Sequence, residues 1–228
     1  METIYLAPTA IIDSDHPEII GHAKAITWGA ATPAEKAVAL FYEVRDAIRY
    51  DPYSPFYAPG HYRASRVLKA KRGFCVPKAS LLCALGRAVG IPSRMGFADV
   101  KNHLATRQLI EMLGTNLFVY HGFVEFFLEG KWVKATPAFN KELCDRHQVP
   151  PLEFNGLEDC VFQRFNNENK PFMEYIAFHG TLADIPVESI LAAWDKAYGK
   201  ERVQSWIDAY ETVSPTALPD FYKEDVIS

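Results

Sequence analysis

The amino-acid sequence predicts an α+β fold, and three observations lead to this class. A stripe of apolar residues at helical spacing follows helix-capping residues near position 32. Two segments rich in aromatic and branched residues, joined by a short turn near position 129, have the pattern of an antiparallel hairpin. Apolar residues at helical spacing return after position 187. Helices before and after antiparallel strands are typical of the α+β class.

The first clear helix is predicted over residues 31–50. Thr32 can act as its N-cap, Pro33 falls at the first helical position, and Glu35 completes a capping box. The stripe that this helix would bury consists of Ala37, Phe41, Val44 and Ile48. A shorter helix is predicted around residues 63–70.

A second strong helix is predicted to begin near Cys75, with Pro77 in its first turn. Gly90 can end it in the left-handed conformation. A strand is expected over residues 93–98, and residues 102–113 are predicted to be helical, with Gly114 as the stop.

The hairpin is predicted from residues 118–128 and 131–136, with Glu129 and Gly130 as its turn. This turn sets a pairing of Leu128 with Lys131, Phe127 with Trp132, Glu125 with Lys134, Phe123 with Thr136 and His121 with Ala138. Beyond Asn140 we expect loop as far as about Gly180. Residues 187–213 then look helical, either as a cover over the core or as an appendage.

Length and composition predict one domain over residues 1–228, with the core motifs at about 30–140 and a loop-rich segment and C-terminal helices at 141–228. The net charge of −4 gives no basic surface for nucleic acid. Neither a secretory signal nor an apolar run long enough to span a membrane is evident, so we expect a cytoplasmic protein without membrane partners. The four cysteines form no Cys-x-x-Cys pair, and we expect no metal or cofactor.

Cys75 is the candidate nucleophile, since it stands at the start of a helix in the run GFCVPKASLLCALGRAVGIP. Unpaired amide N–H groups and the positive end of the helix dipole favour the thiolate there. Gly73 allows a sharp backbone entry into this helix. The alternative is that Cys75 is a small buried residue, as most free cysteines are. Cys83, in mid-helix, is predicted to pack in the core.

His121 is the candidate base. The predicted pairing of the hairpin places Thr136 and Asn140 as its diagonal neighbours on one face of the sheet. The small residue Ala138 leaves room opposite it. A base that activates a thiol needs a third group to orient it, and Thr136 or Asn140 could provide this. The alternative is that His121 only caps a strand at the surface.

Two ordered blocks of the sequence resemble the transglutaminase-like superfamily. The block GFCVPKASLLCALGRAVGIPSRMGFADV has Gly-x-Cys opening a helix and Gly-Ile-Pro-x-Arg leading into a strand. The block YHGFVEFFLEGKWVKATPAFN has a histidine that opens a strand, an acidic residue and glycine in a turn, and a tryptophan strand. The resemblance covers about residues 30–140. It implies a papain/transglutaminase-like core, with the nucleophile at a helix N-terminus packed on an antiparallel sheet.

The resemblance carries the nucleophile to Cys75, the base to His121 and the third catalytic position, usually aspartate, to Thr136. A threonine can accept a hydrogen bond from the imidazole, but it has no charge to stabilise an imidazolium. Asn140 is the preferred substitute, since papain-like enzymes use an asparagine. Asp159, outside the hairpin, is a third candidate.

The resemblance also implies acyl transfer or hydrolysis on an amide, through a thioester on Cys75, with a peptide, a protein or a small amide as substrate. The Cys75 N–H would be one oxyanion donor, and Tyr50 or Tyr62 could supply a second. One alternative, suggested by the missing aspartate, is a binding module that does not turn its ligand over. Another is a redox-sensing thiol, although Cys83 is poorly placed to resolve oxidised Cys75.

Overall fold

The computed structural model describes residues 3–212 and 220–224, which form helices around a small antiparallel sheet. The helices in this part of the chain are α1 (Pro17–Ile26), α2 (Pro33–Ala47), α3 (Ala64–Ala70), α4 (Cys75–Ala88), α5 (Arg107–Leu113), α6 (Lys141–Arg146), α7 (Val187–Tyr198) and α8 (Lys200–Thr212). The strands are β1 (Arg49–Tyr50), β2 (Arg72–Gly73), β3 (Ser93–Asn102), β4 (Leu117–Leu128), β5 (Lys131–Ala135) and β6 (Met173–Leu182).

The main sheet has the order β5-β4-β3-β6, and all its neighbouring strands are antiparallel. Strands β1 and β2 form a separate, two-stranded parallel pair. Helix α4 packs against β4 and β3, and α1, α2 and α3 surround its other sides. Residues 76–87 of α4 are therefore all buried. The prediction of an α+β fold, with Cys75 opening a helix that packs on an antiparallel sheet, is confirmed.

Helix α2 begins with the predicted capping box. The Glu35 N–H donates to Thr32 Oγ1 over 3.1 Å, and the Thr32 N–H donates to Glu35 Oε2 over 3.2 Å. These bonds satisfy backbone groups that the first helical turn leaves without partners.

Lys78 caps the other end of α2. This side chain is fully buried, and its Nζ donates to the carbonyl of Arg45 over 2.9 Å and to the carbonyl of Ile48. Burial lowers the pKa of Lys78 well below its usual value. Because the last carbonyls of a helix lack partners within the helix, these bonds fasten the end of α2 to the first turn of α4.

The hairpin turn is confirmed, since Glu129 and Gly130 both have positive φ values, of 49° and 86°. The predicted pairings of Leu128, Phe127 and Glu125 are confirmed as well. The ladder ends where Val124 pairs with Ala135, because the Thr136 N–H donates instead to Cys160 O over 3.1 Å, and Pro137 has no N–H to offer. The predicted continuation, with Thr136 opposite Phe123 and Ala138 opposite His121, is therefore wrong.

Strand β3 runs on to Asn102, beyond the predicted residues 93–98, since residues 100–102 pair with β6 and residues 100 and 101 also pair with β4. The helix predicted over 102–113 is therefore shortened to α5, which ends at Gly114 with a φ of 75° as expected. The loop predicted between Asn140 and Gly180 is wrong in part, because α6 and β6 lie within it. Strand β6 is an edge strand with mostly exposed residues, so it lacks the alternation of a half-buried strand.

Helix α7 covers part of the sheet, and α8 packs on α7. Helix α7 packs on β4, with Trp194 Nε1 donating to Val119 O over 3.0 Å. Helix α8 follows directly after Gly199, and residue Val213, at the end of the predicted helical segment, lies outside the described residues. In the described part of the chain, no helix combines the length and apolar character that crossing a membrane requires.

Candidate active site

Cys75 and His121 lie in the wall of one pocket of about 200 Å³. Cys75 opens α4, and His121 lies on β4, the strand against which α4 packs. The structure therefore brings the predicted nucleophile and the predicted base to one cavity, although they are 46 positions apart in the chain.

Backbone amides lie beside the Cys75 sulfur, and the residue is half-buried. Burial raises the pKa of the thiol to about 11, while the N–H groups of Gly122, Val76 and Cys75 itself act in the lowering direction. The amides at the helix start favour the thiolate as expected, but desolvation outweighs them in this structure. A neutral thiol is the stable form at pH 7.

Gly122 was missed as a site residue, although it directly follows the candidate base. A methyl group on Gly122 would lie 3.0 Å from both Cα and Cγ2 of Val76, the residue after Cys75. Only glycine lets β4 approach the first turn of α4 this closely. The signal that could have revealed it is the pair His121-Gly122 in a strand otherwise built of large residues.

His121 is buried, at 4 % exposure, so the alternative that it caps a strand at the surface is wrong. Its ring packs on Phe162, with 5.1 Å between ring centroids, and its Nε2 has no hydrogen-bond partner among the described residues. Burial lowers the pKa of His121 to about 3. The imidazole is therefore neutral at pH 7.

Thr136 is buried, at 1 % exposure, in the segment that follows β5. Its Oγ1 has no hydrogen-bond partner among the described residues, although the Tyr175 hydroxyl lies close to it. Tyr175 also borders His121, with 6.5 Å between ring centroids. Thr136 and His121 thus share a neighbour without bonding to each other, and a direct orienting role for Thr136 stays a prediction.

The structure does not bring Asn140 to His121. Its Nδ2 donates to the carbonyls of Arg45, Asp46 and Ile48. Its Oδ1 accepts from the Tyr50 N–H over 2.6 Å and from the Tyr222 hydroxyl over 2.9 Å. Because every polar atom of this amide is already bonded, the choice of Asn140 as the orienting group is corrected. Asn140 fixes the connection between α2 and β1.

Replacing Asn140 by alanine should lower the free energy of unfolding by about 2–4 kcal/mol, since buried carbonyls and the Tyr50 N–H would lose their partners. Urea denaturation measures this loss. Asn167→Ala, in an exposed loop, is the control and should change stability little. A loss below about 0.5 kcal/mol for Asn140→Ala would contradict the structural role.

Asp159 lies at the surface and binds Lys134. Its carboxylate accepts from the Lys134 backbone N–H over 2.9 Å and from Lys134 Nζ over 3.0 Å. Asp159 does not line the pocket that holds Cys75 and His121, so the structure leaves this third candidate apart from them.

The two tyrosines considered as oxyanion donors differ in position. Tyr50 lines the pocket beside Cys75, whose negative charge would add to burial in raising the pKa of the Tyr50 hydroxyl. Tyr62 is fully buried behind Phe74, and its hydroxyl has no partner among the described residues. Tyr50 is therefore the candidate that a bound substrate can reach.

Tyr120, directly before His121, has an unusual backbone conformation. Its φ of 58° is rare for a tyrosine, and it occurs where the β3–β4 pairing shifts register. The Asp99 carboxylate accepts from the Tyr120 N–H over 3.0 Å and contacts His179 Nε2 at 2.6 Å, while the His179 ring stacks on Tyr120. These contacts hold the backbone immediately before His121. No local sequence pattern indicates these contacts, since they join three strands.

The described residues contain no group of three or more His, Cys, Asp or Glu side chains that could hold a metal ion. All four cysteines are free.

A cysteine thus opens a buried helix, and a histidine on the adjacent antiparallel strand lines the same pocket. The family model for the transglutaminase-like superfamily matches residues 21–137. This chain belongs to that superfamily, so the resemblance recognised in the two sequence blocks is confirmed.

Solved structures give weaker similarities. A proposed cysteine protease from Cytophaga hutchinsonii is 16% identical, with a TM-score of 0.47 over 78% of this chain and 53% of that one. A proposed protease from Parabacteroides distasonis is 20% identical, with a TM-score of 0.39 over 52% of this chain and 23% of that one. The periplasmic domain of TgpA from Pseudomonas aeruginosa, bound to ethylmercury, is 18% identical, with a TM-score of 0.39 over 59% of this chain and 46% of that one.

This chain thus spans about half the length, or less, of each of these three structures. None of the curated proteins matches it.

Proposed function

We propose that this chain is a cysteine enzyme that transfers or hydrolyses the acyl group of an amide. The observation that supports this most directly is the shared pocket, which Cys75 and His121 both line, with the Gly122 amide beside the sulfur. Peptides, proteins and small amides are the substrates in view. A cytoplasmic location stays a prediction.

In the first step, His121 takes the proton of the Cys75 thiol as the sulfur attacks the amide carbonyl. A C–S bond forms, and the carbonyl oxygen becomes an oxyanion. The same proton then passes from the imidazolium to the amide nitrogen, the C–N bond breaks, and an amine leaves the thioester. This route begins from a neutral thiol and a neutral imidazole, the forms that burial favours here.

In the second step, water or an amine attacks the thioester while His121 removes its proton. The C–S bond breaks, the thiol regains a proton, and an acid or a new amide is released. Backbone N–H groups at the start of α4 are the nearest donors for the oxyanion, and the Tyr50 hydroxyl is our candidate for a further one.

The experiment is to measure amide turnover by the native chain, Cys75→Ala and His121→Ala, and to trap the thioester with hydroxylamine. Loss of the nucleophile should abolish turnover, and loss of the base should lower kcat by about 100- to 10,000-fold. His103→Ala, at the surface, is the matched control and should keep native rates. If His121→Ala hydrolyses every amide tested at the native rate, this mechanism is wrong.

A second candidate function is amide binding without turnover. Thr136 at the usual aspartate position and the raised pKa of the Cys75 thiol support it. It predicts that an amide binds reversibly, that no hydroxamate is formed, and that Cys75→Ala binds the amide as well as the native chain.

A further inference from the structure

The pocket beside Cys75 is almost wholly apolar. Among the described residues that line it, none is Asp, Glu, Lys or Arg, and more than half are aromatic. Helix α4 and strand β4 form one side of its wall, and α5, α7 and α8 form the other. A charged group of a substrate would find no partner of opposite charge on these walls.

The polar atoms of three of these aromatic residues are already bonded to the protein. Trp194 Nε1 donates to Val119 O over 3.0 Å. The Tyr198 hydroxyl accepts from the Val119 N–H over 2.8 Å and donates to Leu117 O over 3.2 Å. The Tyr53 hydroxyl donates to Glu224 over 2.5 Å. These side chains therefore present carbon to the cavity, and their bonds fix the walls before any ligand arrives.

The volume of about 200 Å³ sets the size of the group that fits. An engineered apolar cavity of about 150 Å³ in another protein holds benzene. A phenyl ring with one methylene group, or a short branched chain, is therefore of the right size here.

The covalent step indicates which part of the substrate this pocket holds. The acyl group stays attached to the sulfur from the first attack until release, whereas the amine leaves early. Since Cys75 lies in the wall, the acyl group is the part that must lie in the cavity throughout.

We propose that this pocket selects an uncharged aromatic or branched apolar acyl group, of which phenylacetyl is the model. The inference rests on the proposed function for its covalent step, but the binding of the apolar group does not require turnover.

Binding is tested with phenylacetamide and acetamide, through the fluorescence of Trp194 and Trp206, which both line the pocket. Phenylacetamide should change the fluorescence with an affinity at least 10-fold tighter than that of acetamide, since it buries a phenyl ring. Succinamate, which carries a charge, should bind no better than acetamide. Ammonia release from the same three amides gives the selectivity in kcat/KM, expected in the same order.

Two variants localise the effect. Ala209 is exposed on α8 and borders the pocket, so Ala209→Phe should fill the cavity and lower phenylacetamide affinity at least 10-fold. Ala192 is exposed on α7 and does not line the pocket, so Ala192→Phe should keep native affinity.

The results separate the two proposals. If succinamate or acetamide is hydrolysed and phenylacetamide neither binds nor reacts, the apolar selectivity is overturned and the proposed function stands. If phenylacetamide binds, Ala209→Phe abolishes binding and no amide is turned over, the apolar selectivity stands and the proposed function fails. Absence of binding and turnover with all three amides overturns the selectivity as well.

Discussion

Replacing Gly122 by alanine is expected to lower amide turnover by about 10-fold and the free energy of unfolding by about 1–3 kcal/mol. The added methyl group would lie 3.0 Å from Val76 Cα, a backbone atom that cannot rotate away. Strand β4 or Val76 must then shift by a few tenths of an ångström, which displaces His121 relative to Cys75. Since a misplacement of about 1 Å can cost about 100-fold in rate, this smaller shift should cost about 10-fold. Turnover assays and urea denaturation of the purified variant measure both effects.

Gly21→Ala is the matched control for this substitution. Gly21 lies within α1, and a methyl group there meets no atom within 4 Å. Alanine is favoured over glycine in a helix, so this variant should gain about 0.5–1 kcal/mol and keep its turnover. If Gly122→Ala behaves like Gly21→Ala, the close approach of β4 to α4 does not position the catalytic pair.

Acid is expected to destabilise the protein through His121. The folded-state pKa of about 3 lies below the ordinary value of about 6.5, so the unfolded chain binds a proton first as the pH falls. The contribution of the neutral imidazole to the free energy of unfolding is fully present above about pH 6.5 and is lost as the pH falls toward about 3. By pH 5 this single group should reduce the free energy of unfolding by about 2 kcal/mol.

Urea denaturation at pH 7, 6 and 5 tests this expectation, since carboxylates contribute little to the slope in that range. In His121→Gln no group titrates at this position, so the free energy of unfolding should fall by about 2 kcal/mol less between pH 7 and pH 5 than in the native chain. In His103→Gln, a surface variant, the fall should equal that of the native chain. An unchanged slope in His121→Gln would show that the imidazole has the same pKa in the folded and the unfolded chain, whereas a steeper decline toward acid would show that it is protonated in the folded state. A thiolate–imidazolium pair would explain such a result, and the neutral starting point of the proposed mechanism would be wrong.

Local signals predicted the parts of this fold that local chemistry decides. The capping box at Thr32, the helix that opens at Cys75 and the turn at Glu129 and Gly130 each follow from a few neighbouring residues. The pairings next to that turn were also correct, because a two-residue turn fixes the register of its hairpin.

The errors lie where distant segments decide the outcome. Strand β6 was missed because its residues are exposed and its pairing is set by β3, far earlier in the chain. The return strand was extended too far because its end depends on a bond from Thr136 to Cys160. Because of that error, Asn140 was predicted to lie beside His121, whereas it binds the carbonyls at the end of α2.

The candidate site was predicted as far as Cys75 and His121, and the structure places both in one pocket. Its electrostatics were not predicted, because the pKa of a thiol at a helix start depends on how deeply the fold buries it. The supporting contacts at Tyr120 and Gly122 also escaped, since each depends on a second segment that the sequence does not identify.

The end of β5 at Ala135 determines where the chain can accept insertions without disturbing the candidate site. A sheet edge with free N–H and C=O groups normally invites another strand, yet here a helix start and its thiol occupy that position beside Gly122. If β5 continued its pairing with β4 for two residues beyond Ala135, it would compete with Cys75 for the Gly122 N–H. Insertions at the turn, residues 129–130, should leave the contact between Cys75 and Gly122 unchanged. Insertions between residues 135 and 140 should disturb it. The two ends of β5 therefore differ in their tolerance to insertion.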